Sequence, residues 1–117
     1  MRKIPWITSL IATIVGSLAI SAPAMASLAW KMNVTISGLY NTPDGGFLIL
    51  LPGGTDPVCG PSGNLFYVTP GQVSQTLDGA KNALAISLMA LSLGKTINIY
   101  YDNAVTNCPV QIVWVNP

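Results

Sequence analysis

One stretch, residues 69–94, constrains the fold more than any other: TPGQVSQTLDGAKNALAISLMALSLG. Apolar residues recur at Val73, Leu77, Ala80, Leu84, Leu88 and Leu91, the three-and-four spacing of one helix face. The spacing predicts a helix starting between Gln72 and Thr76, with Ser74 or Thr76 as its cap residue. Asp78 near the start and Lys95 beyond the end suit the helix dipole, and Gly94 stands where a left-handed stop belongs. Between Ala83 and Leu93 only Ser87 and Ser92 are polar. A helix so apolar around its girth needs cover on more than one side, and a small domain covers only one. The other side is expected to meet a second subunit, a partner protein or a membrane surface. Leu84, Ser87, Leu88, Leu91 and Ser92 are the expected contact face, so lysine at Ser87 or Ser92 should split an assembly.

Strand-like segments flank this helix, three before it and two after. Residues 28–38 alternate, with Trp30, Met32, Val34 and Ile36 expected on one face and Lys31, Asn33, Thr35 and Ser37 on the other. The turn formers YNTPDGG lead into residues 47–51, apolar on both faces, and together they predict a hairpin. Residues 52–64 are a loop crowded with proline and glycine, and residues 65–68 form a short third strand. After the helix, Ile97, Ile99 and Tyr101 alternate with Thr96, Asn98 and Tyr100. A turn region, DNAVTNCP, separates this fourth strand from a fifth at residues 110–115, where Ile112 and Trp114 share a face. The expected class is mainly β with one α-helix. Five strands with a helix between the third and fourth is the element order of the OB-fold, a small Greek-key barrel. An α+β sandwich with the helix on one sheet face is the competing architecture.

The first residues point to export. Arg2 and Lys3 precede an apolar core over residues 7–20, then a break at Pro23 and the small-x-small pattern Ala24-Met25-Ala26. The apolar run is shorter than the roughly 20 residues of a spanning helix, so a cleaved signal peptide over 1–26 is expected, with no stable membrane span afterwards. Cleavage after Ala29 fits the same pattern. The remainder, residues 27–117, has the length of a single domain, and the expected location is the periplasm or the outside of the cell. Two cysteines, Cys59 and Cys108, are expected to pair in such a compartment.

Charge and residue types exclude several activities. Past residue 26 only Lys31, Lys81 and Lys95 stand against Asp44, Asp56, Asp78 and Asp102, with no arginine, histidine or glutamate. Serine, cysteine and zinc catalytic arrangements lack their base or ligands, so no catalytic residue, metal or cofactor is expected. Three lysines cannot furnish the basic groove that nucleic acid requires. Uncharged hydroxyl, amide and aromatic groups suit carbohydrate better. Tyr40, Asn41, Asp44, Tyr100, Tyr101, Asp102, Asn103 and Asn107 concentrate in the two turn regions and are the candidate ligand contacts.

The run AKNALAISLMALSLGKTINIYY over residues 80–101 resembles the helix-glycine-lysine-strand segment of small secreted OB-fold proteins related to the B subunits of subtilase-type and pertussis-like toxins. The Cys59 loop with Phe66-Tyr67-Val68, and Cys108 followed by the last strand, fit the same outline. The resemblance implies a barrel that assembles as a homo-oligomer, a ring of five with helices at its centre, and binds host-cell glycans. It also implies a catalytic A subunit as a partner.

Overall fold

Asn33 divides what the sequence presents as one strand. In the computed structural model, which describes residues 27–53 and 56–117, its φ is +54°, a left-handed value that asparagine tolerates better than most residues. The leader expected over residues 1–26 lies outside the described residues. Strand β1 (Leu28–Val34) pairs with β5 (Ile97–Asp102), and the register slips between Lys31 and Val34. One extra residue inverts the in-and-out alternation of a strand. Before the bulge, Ala29 and Lys31 stand opposite the buried Tyr101 and Ile99, while Trp30 and Met32 are turned out. After it, Val34 stands opposite the buried Ile97, and Ile36 is itself buried. The expected shared face of Trp30, Met32, Val34 and Ile36 is therefore split in two.

Beyond the crossing at residues 35–37 the chain enters a second sheet. There β2 (Gly38–Asn41), β3 (Phe47–Leu50) and β4 (Leu65–Val68) lie antiparallel in that order. In the first sheet β5 is central, between β1 and β6 (Val110–Val115). The fold is mainly β with one helix among the described residues, α1 (Leu77–Leu93), between β4 and β5. Among the described residues six strands in two three-stranded sheets replace the five expected, and the helix follows the fourth strand rather than the third. Both differences come from the crossing at residues 35–37, which parts β1 from β2.

The sheets are joined where β4 passes the loop before β6. Tyr67 forms a parallel bridge with Pro109, and the Tyr67 N–H donates to the carbonyls of Asn107 and Cys108. Beside it Cys59 and Cys108 form a disulfide, both fully buried, their Cα atoms 5.2 Å apart. Phe47, Ile49, Phe66, Ile97, Ile99 and Val110 fill the space between the sheets, and Phe66 meets Tyr101 edge-on at 4.9 Å.

The helix has the ends that its sequence predicts. Thr76 Oγ1 accepts the Gly79 N–H at 2.9 Å, and Gly94 closes the last turn at φ +67°. Its inward face is different. Ala80, Ala83, Ser87 and Ala90 are buried, Leu84 and Ile86 are half-buried, and Leu77, Leu88 and Leu91 are exposed. Val73 lies ahead of the helix at φ +44° and belongs to no helical face. Phenylalanine and isoleucine from the sheets already occupy the interior, so only small side chains let the helix backbone come close. Ser87 is accommodated there because its hydroxyl donates to the Ala83 carbonyl at 2.8 Å.

The β2–β3 turn is held equally closely. Asp44 Oδ1 accepts from the Thr42 hydroxyl and the Gly46 N–H, and a Cβ at Gly46 would stand 2.1 Å from the Val68 carbonyl oxygen. Gly46→Ala is expected to cost about 2 kcal/mol in a urea melt, because backbone rather than a flexible side chain must yield.

Candidate functional site

The residues expected to contact a ligand do not form one site. Tyr40 and Asn41 lie in β2 of one sheet, whereas Tyr100, Tyr101 and Asp102 lie in β5 of the other. Several have structural work instead. Asp44 orders its own turn, and those hydrogen bonds, first the one from Thr42, hold its carboxyl below the ordinary aspartate range. That ordering is in place above the unfolded carboxyl's range and fades as pH falls through the lowered value. Tyr101 is buried and donates to Asp56 Oδ2 at 2.7 Å. Burial, with the aspartate adding to it, pushes its hydroxyl well above the ordinary tyrosine value, so the group stays a donor. Asp102 is buried and accepts the N–H groups of Ser27 and Ala104. Asn103 donates its backbone N–H to the Ser27 carbonyl. Asn107 Nδ2 donates to Gln72 Oε1, and its buried Oδ1 has no partner among the described residues. Tyr101→Phe should lower stability by about 1.5 kcal/mol, as the loss of a hydrogen bond to a carboxylate does, and leave ligand binding unchanged.

Tyr100 is the exception, and it leads to a surface that the turn residues did not indicate. Its ring lies on the outer face of the first sheet, 4.8 Å from the ring of Trp30. The register sets Trp30, Tyr100 and Ile112 side by side across three strands, and Asn98 beside Trp114 in the next row. Trp30, Met32 and Trp114 are 47%, 56% and 58% exposed. With Asn98 they line an open hollow of about 330 Å³. The four come from three strands, and the Asn33 bulge brings the first two to this face. The sequence carried no signal for this turn-out, because Asn33 falls on the polar side of an unbroken alternation and the bulge leaves that pattern in place.

Asn98 is held at the base of this hollow. Its Oδ1 accepts the Asn33 backbone N–H at 2.8 Å and Asn116 Nδ2 at 2.9 Å. Asn116 also donates to Thr96 and Asn33, so the end of the chain fastens the bulge to the sheet.

The helix presents a second uncovered apolar surface. Leu88 and Leu91, two of the residues expected at a contact between subunits, are 47% and 42% exposed, and Leu84 is half-buried beside them. Ser92 is exposed, its hydroxyl donating to the Leu88 carbonyl. Ser87 is fully buried within its own chain and is removed from that contact face.

Among the described residues no group of histidine, cysteine, aspartate or glutamate side chains could hold a metal ion, and no helix is long and apolar enough to cross a membrane. Compared with known proteins, the chain matches no protein family, no curated protein and no solved structure.

Proposed function

We propose that this chain is exported and acts without catalysis as a recognition module that binds glycans and assembles with copies of itself. The observation that carries the reading is the outward row of Trp30, Tyr100 and Ile112 with Trp114 beside it. Aromatic side chains at this density normally fill a core, and here they are turned to solvent around an amide. Flat rings with a fixed amide between them suit sugars, whose C–H faces stack and whose polar groups hydrogen-bond. The aspartates favour a role without chemistry. Asp44, Asp56 and Asp102 accept backbone N–H groups, and Asp78 sits in the first turn of α1.

The architecture proposed is an OB-like barrel. Taken as two halves of one bent strand, β1 and β2 reduce the six strands to five, with the helix between the third and fourth. The contacts then run first to second, second to third, third to fifth through the Tyr67–Pro109 bridge, fifth to fourth, and fourth back to first. That circuit supports a closed Greek-key ring and a likeness to toxin B subunits. A ring of five copies joined through the leucines of α1, and a catalytic companion subunit, belong to the same proposal.

The test is a glycan array probed with residues 27–117, run beside light scattering at micromolar concentration. Glycan binding by an assembly of fixed size is expected. A monomer that binds nothing on the array would overturn the reading.

A further inference from the structure

We propose that the hollow between Trp30 and Trp114 is a subsite for one uncharged 2-acetamido sugar, whose acetamido oxygen accepts a hydrogen bond from Asn98 Nδ2. The inference rests on the glycan reading above and names its ligand class. Asn98 is only 8% exposed. Its Oδ1 faces the Asn33 backbone N–H, which can only donate, so the partner fixes which amide atom is oxygen. The Nδ2 atom is then left without a protein acceptor among the described residues, in a side chain that lines the hollow. The donor opens into the hollow from a side chain that is otherwise nearly buried, and the apolar walls favour an acceptor that arrives with apolar matter around it. An acetamido group has that make-up, a carbonyl oxygen next to a methyl. The sugar ring that carries it offers C–H bonds to the negative faces of the indoles.

Size and charge narrow the class. The hollow lies at the small end of ligand sites, which run from about 300 to 1,000 Å³, and suits one sugar residue. Among the described residues no charged side chain lines it, so a sialic acid carboxylate would find no cation there. A peptide carbonyl also matches Asn98, but extended peptides dock by main-chain pairing at a sheet edge. This hollow opens across the face of three strands.

Tryptophan fluorescence titration of residues 27–117 tests the inference. The probes are the methyl glycosides of N-acetylglucosamine, glucose and N-acetylneuraminic acid, with an N-acetyl amino acid amide beside them. The acetamido hexoside should bind about tenfold more tightly than the glucoside, and Trp114→Ala should weaken it about tenfold. Asn98→Asp puts an acceptor where the donor was and should erase the preference for the acetamido group. Should that variant not fold, the exposed Trp114 still decides the matter. Equal binding by Trp114→Ala places glycans elsewhere, overturning this site while the module stands. Tighter binding of the sialoside overturns the ligand class, and equal binding of the amino acid amide makes the hollow a peptide site. No binding of any glycoside, with a blank array, sinks both readings.

A separate observation concerns the start of the domain. Asp102 is 4% exposed, and among the described residues its carboxylate accepts only backbone N–H groups, Ser27 at 3.2 Å and Ala104 at 2.9 Å. We infer that removal of the leader after Ala26 turns the Ser27 nitrogen into an ammonium that ion-pairs with Asp102 and fixes the start of β1. Hydrolysis of the Ala26–Ser27 peptide bond adds water across it, leaving a carboxylate on the leader and the ammonium on the domain. The Ser27 carbonyl, accepting the Asn103 N–H at 2.9 Å, already holds the residue in place. Chains beginning at Ala26, Ser27 and Trp30 can be compared by thermal melting, each with and without Asp102→Asn. The Ser27 chain should melt highest, by several degrees over the Ala26 chain, and that advantage should vanish with asparagine at 102. An advantage that survives Asp102→Asn, or an exported protein whose first residue is Trp30, would overturn the inference.

Discussion

Replacing Cys59 and Cys108 together with alanine should lower the stability of the domain by about 4 kcal/mol, the value the chain-entropy model gives for a loop of this length. The two residues are 49 apart in sequence and join the loop before β4 to the loop before β6. Those loops carry little regular structure, and beside the Tyr67–Pro109 bridge the Gly60 N–H donates across to the Thr106 carbonyl at 3.1 Å. The crosslink therefore ties together the two loops at which the sheets meet. Domains of this length have total stabilities at the low end of about 5–15 kcal/mol, so the loss takes most of the margin. In urea the midpoint should fall by about 3 M, since the slope for so small a domain is near the low end of about 1–3 kcal/mol per M. A fall of under 1 M would mean that the sheets hold their arrangement without the crosslink.

Lysine at position 87 should prevent folding, whereas lysine at position 88 should leave the fold intact and alter only assembly. Ser87 is fully buried between Ala83 and Ala90 on the face that meets the sheets. A lysine there must bury an unpaired charge or push the helix away, and either costs more than about 4 kcal/mol. Ser87→Ala loses one local hydrogen bond and should stay within about 1 kcal/mol of the parent. Leu88, one residue on, is half open to solvent. Leu88→Lys should shift stability by no more than about 0.5 kcal/mol yet move the light-scattering mass to that of one chain. Equal tolerance at both positions would show that the helix does not dock by its alanine face. An unchanged mass for Leu88→Lys would remove the leucines from the assembly contact.

Most of the elements were legible in the sequence because they carry their own punctuation, whereas β2 was hidden in the end of one long strand and the start of a turn. Thr76 and Gly94 frame the helix, the Asp44 turn sets the hairpin, and two cysteines admit one pairing. What could not be read was orientation. A one-residue bulge leaves apolar alternation visible while reversing its meaning, so Trp30 and Met32 looked like core and are surface. The helix misled in the opposite way. Its leucine stripe has the right period for burial, but the sheets supply so much aromatic and branched volume that the alanine stripe fits better. The turn residues were chosen by chemical type, and type alone does not separate a ligand contact from a side chain that holds its own loop, as Tyr101, Asp44 and Asp102 do.

The most direct measurement is a nitrogen–proton correlation spectrum of residues 27–117 recorded during titration with a glycan that binds. The fragment holds two tryptophans, so the indole N–H signals report separately on Trp30 and Trp114. Both signals should move together with the Asn98 side-chain amide, while the amides of residues 42–46 and 103–107 stay in place. Movement confined to those two turns, with both indoles still, would contradict the assignment of recognition to the outer face of the first sheet.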